Sequence, residues 1–87
     1  MKKRKDIYSN RGLNKYGDVE FADSVNKKYP IDTVEHIRAA WNYFHMPRDY
    51  NKYSIEDRKI IEDKIIKAWK EKIDPNGPPE AEEIKNN

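Results

Sequence analysis

The sequence predicts a mainly α-helical protein: an antiparallel two-helix hairpin with a short N-terminal extended or β-hairpin segment packed on the first helix. Two stretches, residues 33–46 and 55–72, repeat apolar side chains at the helical period of ~3.6 residues, and each follows a residue type that caps helices. The connection between them, residues 47–53, is short enough to turn the second helix back along the first. The chain has 87 residues, of which 36% are hydrophobic and 39% charged, so we expect one small core.

The first helix is expected to span residues 33–46. Asp32 or Thr33 can cap its start, and Glu35 follows Asp32 at the spacing of a capping box. Pro47 ends the helix, because a proline pushes the residue before it out of the helical region. The apolar side chains fall within ~120° of the helix circumference, which indicates a face turned to the core. They are Val34, Ile37, Ala40, Trp41 and Phe44.

The second helix is expected to span residues 55–72. Ser54 can cap it, and Asp57 follows at the same capping-box spacing. Its apolar face covers ~160° and contains Ile55, Ile61, Ile65, Ile66, Ala68, Trp69 and Ile73. Across both helices, the positions that we expect to be most buried are Trp41, Phe44, Ile61, Ile65 and Trp69.

The segment before the first helix predicts a short β-hairpin. Apolar and polar residues alternate at 19–22, a turn-rich stretch follows, and Tyr29 and Ile31 flank Pro30. The strands would lie near 19–22 and 28–31. Because Pro30 has no N–H to donate, any strand there must be an edge strand.

The domain organisation follows from composition and charge. Residues 1–17 show no apolar period and predict a flexible basic tail, residues 18–74 a single small helical domain, and residues 75–87 a flexible tail that is proline-rich and acidic. The net charge is +2. Its positive excess falls within residues 1–31, while residues 32–74 carry nine basic and nine acidic side chains. The predicted folded unit is therefore close to neutral.

Composition argues against an enzyme and against a cofactor or metal site. The chain has no cysteine, which removes thiol nucleophiles and Cys-ligated metals. His36 and His45 are nine residues apart, which places them on opposite faces of the first helix. His36 is expected to hydrogen-bond the segment before it. The carboxylates of the second helix alternate with lysines, a pattern typical of a solvated helix face.

A second stripe on the first helix is the main candidate for a binding surface. It consists of His36, Ala39, Tyr43 and Met46, and it lacks the charges expected of a solvated face. Residues 19–31 could cover it, or a protein partner could, including a second copy of the chain as a weak homodimer. The candidate protein interface combines the end of this stripe with the following connection: Tyr43, Met46, Arg48, Tyr50 and Tyr53.

The alternative partner is nucleic acid, bound weakly through phosphate contacts of the basic N-terminal region. The residues that would make those contacts are Lys2, Lys3, Arg4, Lys5, Arg11, Lys15, Lys27 and Lys28. Apolar runs reach two or three residues, so no membrane-spanning segment or secretory signal is expected. The expected location is the cytoplasm.

The stretch Lys28-Tyr29-Pro30-Ile31-Asp32, followed by His36-Ile37-Arg38-Ala39-Ala40, resembles a small bacterial domain of unassigned function. Such domains are associated with phage and mobile-element proteins. The resemblance covers about residues 17–73. It implies a compact helical module with an extended N-terminal arm and a bacterial or prophage origin. It implies no catalytic residues. The function that we expect is that of a small accessory or protein-interaction module of a phage or mobile element.

Overall fold

The computed structural model describes residues 1–79. Its elements follow the chain as α1 (Ser9–Tyr16), β1 (Phe21–Asp23), β2 (Lys28–Pro30), α2 (Val34–Phe44), α3 (Pro47–Tyr50) and α4 (Ile55–Lys72). The prediction of a mainly α-helical chain is confirmed. Helix α2 packs against both α4 and β2, and α4 also contacts β1. The core therefore lies between the two longer helices and the small sheet.

The predicted capping residues start both long helices. Of the two candidates for α2, Thr33 is the cap, because its hydroxyl oxygen accepts a hydrogen bond from the His36 backbone N–H at 3.1 Å. Ser54 caps α4 in the same way and accepts from the Asp57 N–H at 3.2 Å. Both bonds satisfy backbone donors that a helix start leaves without an intrahelical partner. Helix α4 spans the residues predicted for the second helix.

The connection between the long helices contains the short helix α3, which the sequence analysis did not predict. Pro47 is its first residue, a position where the missing N–H costs nothing and the fixed φ suits a helix. Met46 before it has an extended backbone with a ψ of 133°, as expected for a residue that precedes proline. Helix α2 accordingly ends at Phe44, two residues earlier than predicted.

The predicted β-hairpin is confirmed. Strands β1 and β2 pair antiparallel, with Phe21 opposite Pro30 and Asp23 opposite Lys28. The sheet has two strands, so Pro30 lies on an edge, as its missing N–H requires. The pairing extends one step further, because the Ile31 N–H donates to the Glu20 carbonyl at 3.0 Å.

Tyr29 adopts an unusual backbone conformation within β2. Its φ is 62°, in the left-handed region that a bulky residue enters at a cost of about 1–3 kcal/mol. Its ring is buried and packs edge to face on Phe44, with 5.6 Å between ring centroids. This burial offsets the backbone cost and connects the hairpin to α2.

The five side chains predicted to be most buried all lie in the core. The Trp41 ring of α2 meets the Trp69 ring of α4 edge to face, with centroids 6.5 Å apart. Val34 and Ile55, which the apolar faces also included, are exposed instead, Ile55 by 77%. Each is the first residue of its helix.

Residues 1–17 pack on the folded unit, in contrast to the loosely attached tail that the sequence predicts. They contain α1, and the Arg4 side chain near the start of the chain is buried, with 8% exposed. This segment is attached through hydrogen bonds, a close backbone approach and the Tyr16 ring, which packs on Phe21 and His36. Most of these contacts are to residues distant in sequence, so the sequence analysis did not predict them. Of the predicted C-terminal tail, residues 80–87 lie outside the described residues.

A buried hydrogen-bond network, here called the N-terminal clamp, comprises Arg4, Asp23, Asn26 and Tyr53. The Arg4 guanidinium donates to the Tyr53 hydroxyl at 3.2 Å, and that hydroxyl donates to the Asp23 carboxylate at 2.7 Å. The Arg4 backbone N–H donates to the Asn26 side chain at 2.6 Å, and the Asn26 amide donates to Asp23 at 2.8 Å. The clamp thus joins the N-terminus to the hairpin and to the chain before α4.

The Arg4 guanidinium is held from the other side by Asp6, which it contacts at 2.5 Å. The hydrogen bond from Arg4 lowers the pKa of the Asp6 carboxyl to about 2. Asp6 therefore stays ionised at neutral pH and balances the charge of the buried guanidinium.

Candidate functional site

A groove of about 440 Å³ opens between α1, the hairpin and α2. Tyr8 and Tyr16 lie on the α1 side and Tyr43 on the α2 side. We call it the tyrosine groove after these three residues. Its volume falls within the ~300–1,000 Å³ that is usual for binding clefts.

One wall of the groove depends on Gly12. A Cβ atom at this position would lie 2.0 Å from the Lys27 backbone carbonyl, a distance at which two atoms cannot coexist. A glycine therefore lets α1 lie directly on the hairpin turn. The Ser9 hydroxyl adds a hydrogen bond to the Val25 carbonyl at 3.3 Å.

The opposite wall is the second stripe of α2. At its N-terminal end the His36 ring contacts the Tyr16 ring edge to face, with centroids 5.1 Å apart. The His36 Nδ1–H donates to the Asp32 carboxylate at 2.5 Å, which confirms the expected bond to the preceding segment, and this bond lowers the pKa of Asp32. Helix α1 thus covers the start of the stripe. Its other end is open, since Tyr43 is 55% exposed and Met46 44%.

The charges along the groove divide into paired and unpaired groups. Lys28 forms an ion pair with Asp49. Arg11, Lys15 and Lys27 also line the groove, and none of these three has a carboxylate partner within residues 1–79. The groove is therefore cationic on the side formed by α1 and the hairpin.

Two of these cations lie over tyrosine rings of the groove. The Arg11 guanidinium lies 5.7 Å from the Tyr8 ring centroid, and the Lys15 ammonium lies 5.3 Å from that of Tyr16. Such cation–π contacts hold a charge in place without neutralising it. The cationic wall is thus partly ordered before any partner binds.

The five residues of the predicted protein interface differ in how exposed they are. Tyr53 is 5% exposed and belongs to the N-terminal clamp, so its inclusion was wrong. Tyr50 is half-buried, and its ring packs on Phe44 and carries the Arg58 guanidinium 4.4 Å from its centroid. Tyr43, Met46 and Arg48 are exposed and remain candidates for a partner contact.

The eight predicted nucleic-acid contacts do not form one surface. Arg4 is unavailable, because it is buried in ion pairs and hydrogen bonds, and Lys28 is paired with Asp49. Lys2, Lys3 and Lys5 line a separate depression beside the start of α4. The remaining predicted contacts are Arg11, Lys15 and Lys27, and the fold brings them together at the tyrosine groove.

The sequence analysis missed α1 as a wall of the site, although a signal was present. Tyr8, Gly12 and Tyr16 are each four residues apart, so they share one face of a helix. All three line the groove.

Within 1–79, no group of three or more His, Cys, Asp or Glu side chains is placed to hold a metal ion. None of the helices in this part of the chain combines the length and the apolar character that crossing a membrane demands.

A model for a family of unknown function, DUF6582, matches residues 1–74, and the chain belongs to this family. The match begins at residue 1 and so includes α1, which the predicted domain boundary at residue 18 left out. No curated protein and no solved structure matches the chain.

Proposed function

We propose that this member of the DUF6582 family is a protein-interaction module without enzymatic activity, and that it binds its partner in the tyrosine groove. The observation that carries the proposal is the exposure of Tyr43, which lines the groove and is 55% exposed. Tyrosine is among the residue types that dominate interface energetics. An exposed aromatic side chain beside a concave surface is a typical protein-binding feature.

The chemistry of the groove supports binding rather than catalysis. The Asp32–His36 pair resembles part of a catalytic triad, in which an acid orients a histidine. A triad also needs a nucleophile, and the described residues that line the groove contain no serine, threonine or cysteine. In this arrangement His36 shapes the wall by packing on Tyr16.

The aromatic rings of the groove favour a protein partner rather than a nucleic acid. Proteins that bind single strands stack successive bases on open aromatic faces. Here the Tyr8 and Tyr16 rings each carry one of the chain's own cations, and Phe21 also packs on the edge of Tyr16. Tyr29, the fourth tyrosine that lines the groove, is buried and has Lys28 over its ring. Tyr43 is the groove tyrosine that has no ring or cation contact within residues 1–79. One open ring suits a protein side chain better than a row of bases.

The wider setting of this function is part of the proposal. The resemblance of Lys28-Tyr29-Pro30-Ile31-Asp32 and the following His-x-Arg-Ala-Ala helix to domains of phage and mobile-element proteins supports an accessory role there. We place that role in the bacterial cytoplasm, as a monomer or weak homodimer.

The test uses peptides selected on the immobilised chain from a random-sequence display library. Tyr43→Ala is expected to weaken binding of the selected peptides at least ~30-fold, because a central aromatic contact contributes about 2 kcal/mol or more. The melting temperature should change little, since the side chain is largely exposed.

Asn42→Ala serves as the matched control, because Asn42 is an exposed neighbour on α2 that does not line the groove. This variant should bind like the parent. Equal peptide affinity of Tyr43→Ala and the parent would refute the proposed site. Salt-sensitive binding of single-stranded DNA in the groove, in the absence of any selected peptide, would favour the nucleic-acid alternative instead.

A further inference from the structure

The two walls of the tyrosine groove differ in charge. The wall formed by α1 and the hairpin presents Arg11, Lys15 and Lys27. The wall formed by α2 presents Ala39 and Tyr43, which carry no charge, and His36, whose Nδ1 is bonded to the Asp32 carboxylate. A partner that fits both walls must therefore have two chemically different sides.

The carboxylates near the groove do not cancel this asymmetry. Asp49 is paired with Lys28 and lies 3.6 Å from the Arg4 guanidinium. Asp6 is held by the same guanidinium at 2.5 Å. Both carboxylates are thus paired with Arg4 or Lys28. Arg11, Lys15 and Lys27 have no carboxylate partner within residues 1–79.

We propose that the groove binds an acidic amphipathic segment of a partner protein. Its carboxylates would pair with Arg11, Lys15 and Lys27, and an apolar side chain on its opposite face would pack on Tyr43 and Ala39. The inference rests on the proposed function and adds the chemistry of the partner. Complementary charge across an interface selects the partner and speeds its association, and an amphipathic segment in a groove is a recurring mode of peptide recognition.

The test examines the composition of peptides that the chain selects from the random-sequence library. The enriched peptides should carry a net negative charge together with at least one large apolar residue. Their affinity should fall with rising salt, because the contacts on the cationic wall are partly exposed to solvent.

A charge-reversal variant tests the same point from the side of the protein. Lys15→Glu is expected to lower the affinity for the selected peptides at least ~10-fold. Lys15→Gln removes the positive charge without adding a negative one, so its affinity should lie between those of Lys15→Glu and the parent. Lys67→Glu makes the same change at an exposed position of α4 outside the groove and should leave binding unchanged. Circular dichroism of each variant checks that its helices are intact.

The outcomes separate the two proposals. Neutral or basic peptides whose binding depends on Tyr43 would overturn the acidic partner and leave the protein-binding groove standing. Selected peptides that bind Tyr43→Ala as tightly as the parent would overturn both proposals. An oligodeoxythymidine strand that binds more tightly than any selected peptide, and loses affinity in Lys15→Glu, would identify the groove as a nucleic-acid site and also overturn both.

Discussion

Truncation of Trp41 to alanine is expected to remove a large share of the stability of the fold. The Trp41 ring is buried between the ring of His45, with centroids 4.1 Å apart, and that of Trp69 across the helix interface. Removing a buried aromatic side chain costs about 3–5 kcal/mol. The total stability expected for a chain of this length is about 4–13 kcal/mol. The loss is therefore a large share of the whole.

Trp69→Ala should have a similar effect, because it removes the other half of the same contact. Urea titrations followed by far-ultraviolet circular dichroism measure both losses. Ile60→Ala is the control, since it shortens an aliphatic side chain of α4 that is exposed, and it should shift stability by less than ~0.5 kcal/mol. If both tryptophan variants unfold at the urea concentration of the parent, the assignment of the core is wrong.

Asp23→Ala is expected to produce the second large loss. The Asp23 carboxylate is fully buried and accepts hydrogen bonds from the Val25 and Asn26 backbones, the Asn26 amide and the Tyr53 hydroxyl. Without it, these donors lose their acceptor, including the Tyr53 hydroxyl that accepts the hydrogen bond from Arg4. Breaking such a buried polar network costs about 3–5 kcal/mol.

Asp23→Asn keeps one acceptor oxygen and should fall between alanine and the parent. Asp63→Ala is the matched control, because the Asp63 side chain is 63% exposed and its ion pair with Lys59 spans 3.7 Å. Exposed pairs of this kind contribute at most ~1 kcal/mol. A loss for Asp23→Ala no larger than the loss for Asp63→Ala would show that the clamp does not stabilise the fold.

The long helices and the hairpin could be predicted because their signals are local. Thr33 and Ser54 cap the next residues along the chain, Pro47 acts on its own neighbour, and the apolar spacing marks the buried faces. None of these inferences needs knowledge of distant contacts. The burial of Arg4 could not be predicted in this way, because its partners Tyr53 and Asp49 are distant in sequence and approach it only after the chain has folded.

The candidate site could be predicted only in part, for the same reason. An uncharged stripe on a helix indicated Tyr43 and Met46, which are exposed as that hypothesis requires. Nothing in the sequence separates Tyr53 from Tyr43, but in the fold Tyr53 is buried and its hydroxyl donates to Asp23. Helix α1 has few apolar residues and docks through Gly12, whose fit depends on the Lys27 carbonyl opposite it.

The central claim is that α1, docked on the hairpin and facing α2, forms the partner-binding groove, and Gly12→Ala tests it most directly. Alanine raises the helix propensity of α1 by about 1 kcal/mol, but its Cβ would clash with the Lys27 carbonyl. The measurement is the affinity of a selected peptide for Gly12→Ala, with Asn14→Ala, an exposed position of α1, as the control. We predict that Gly12→Ala loses binding while the tryptophan core stays folded and that Asn14→Ala binds like the parent; undiminished binding by Gly12→Ala would contradict the account.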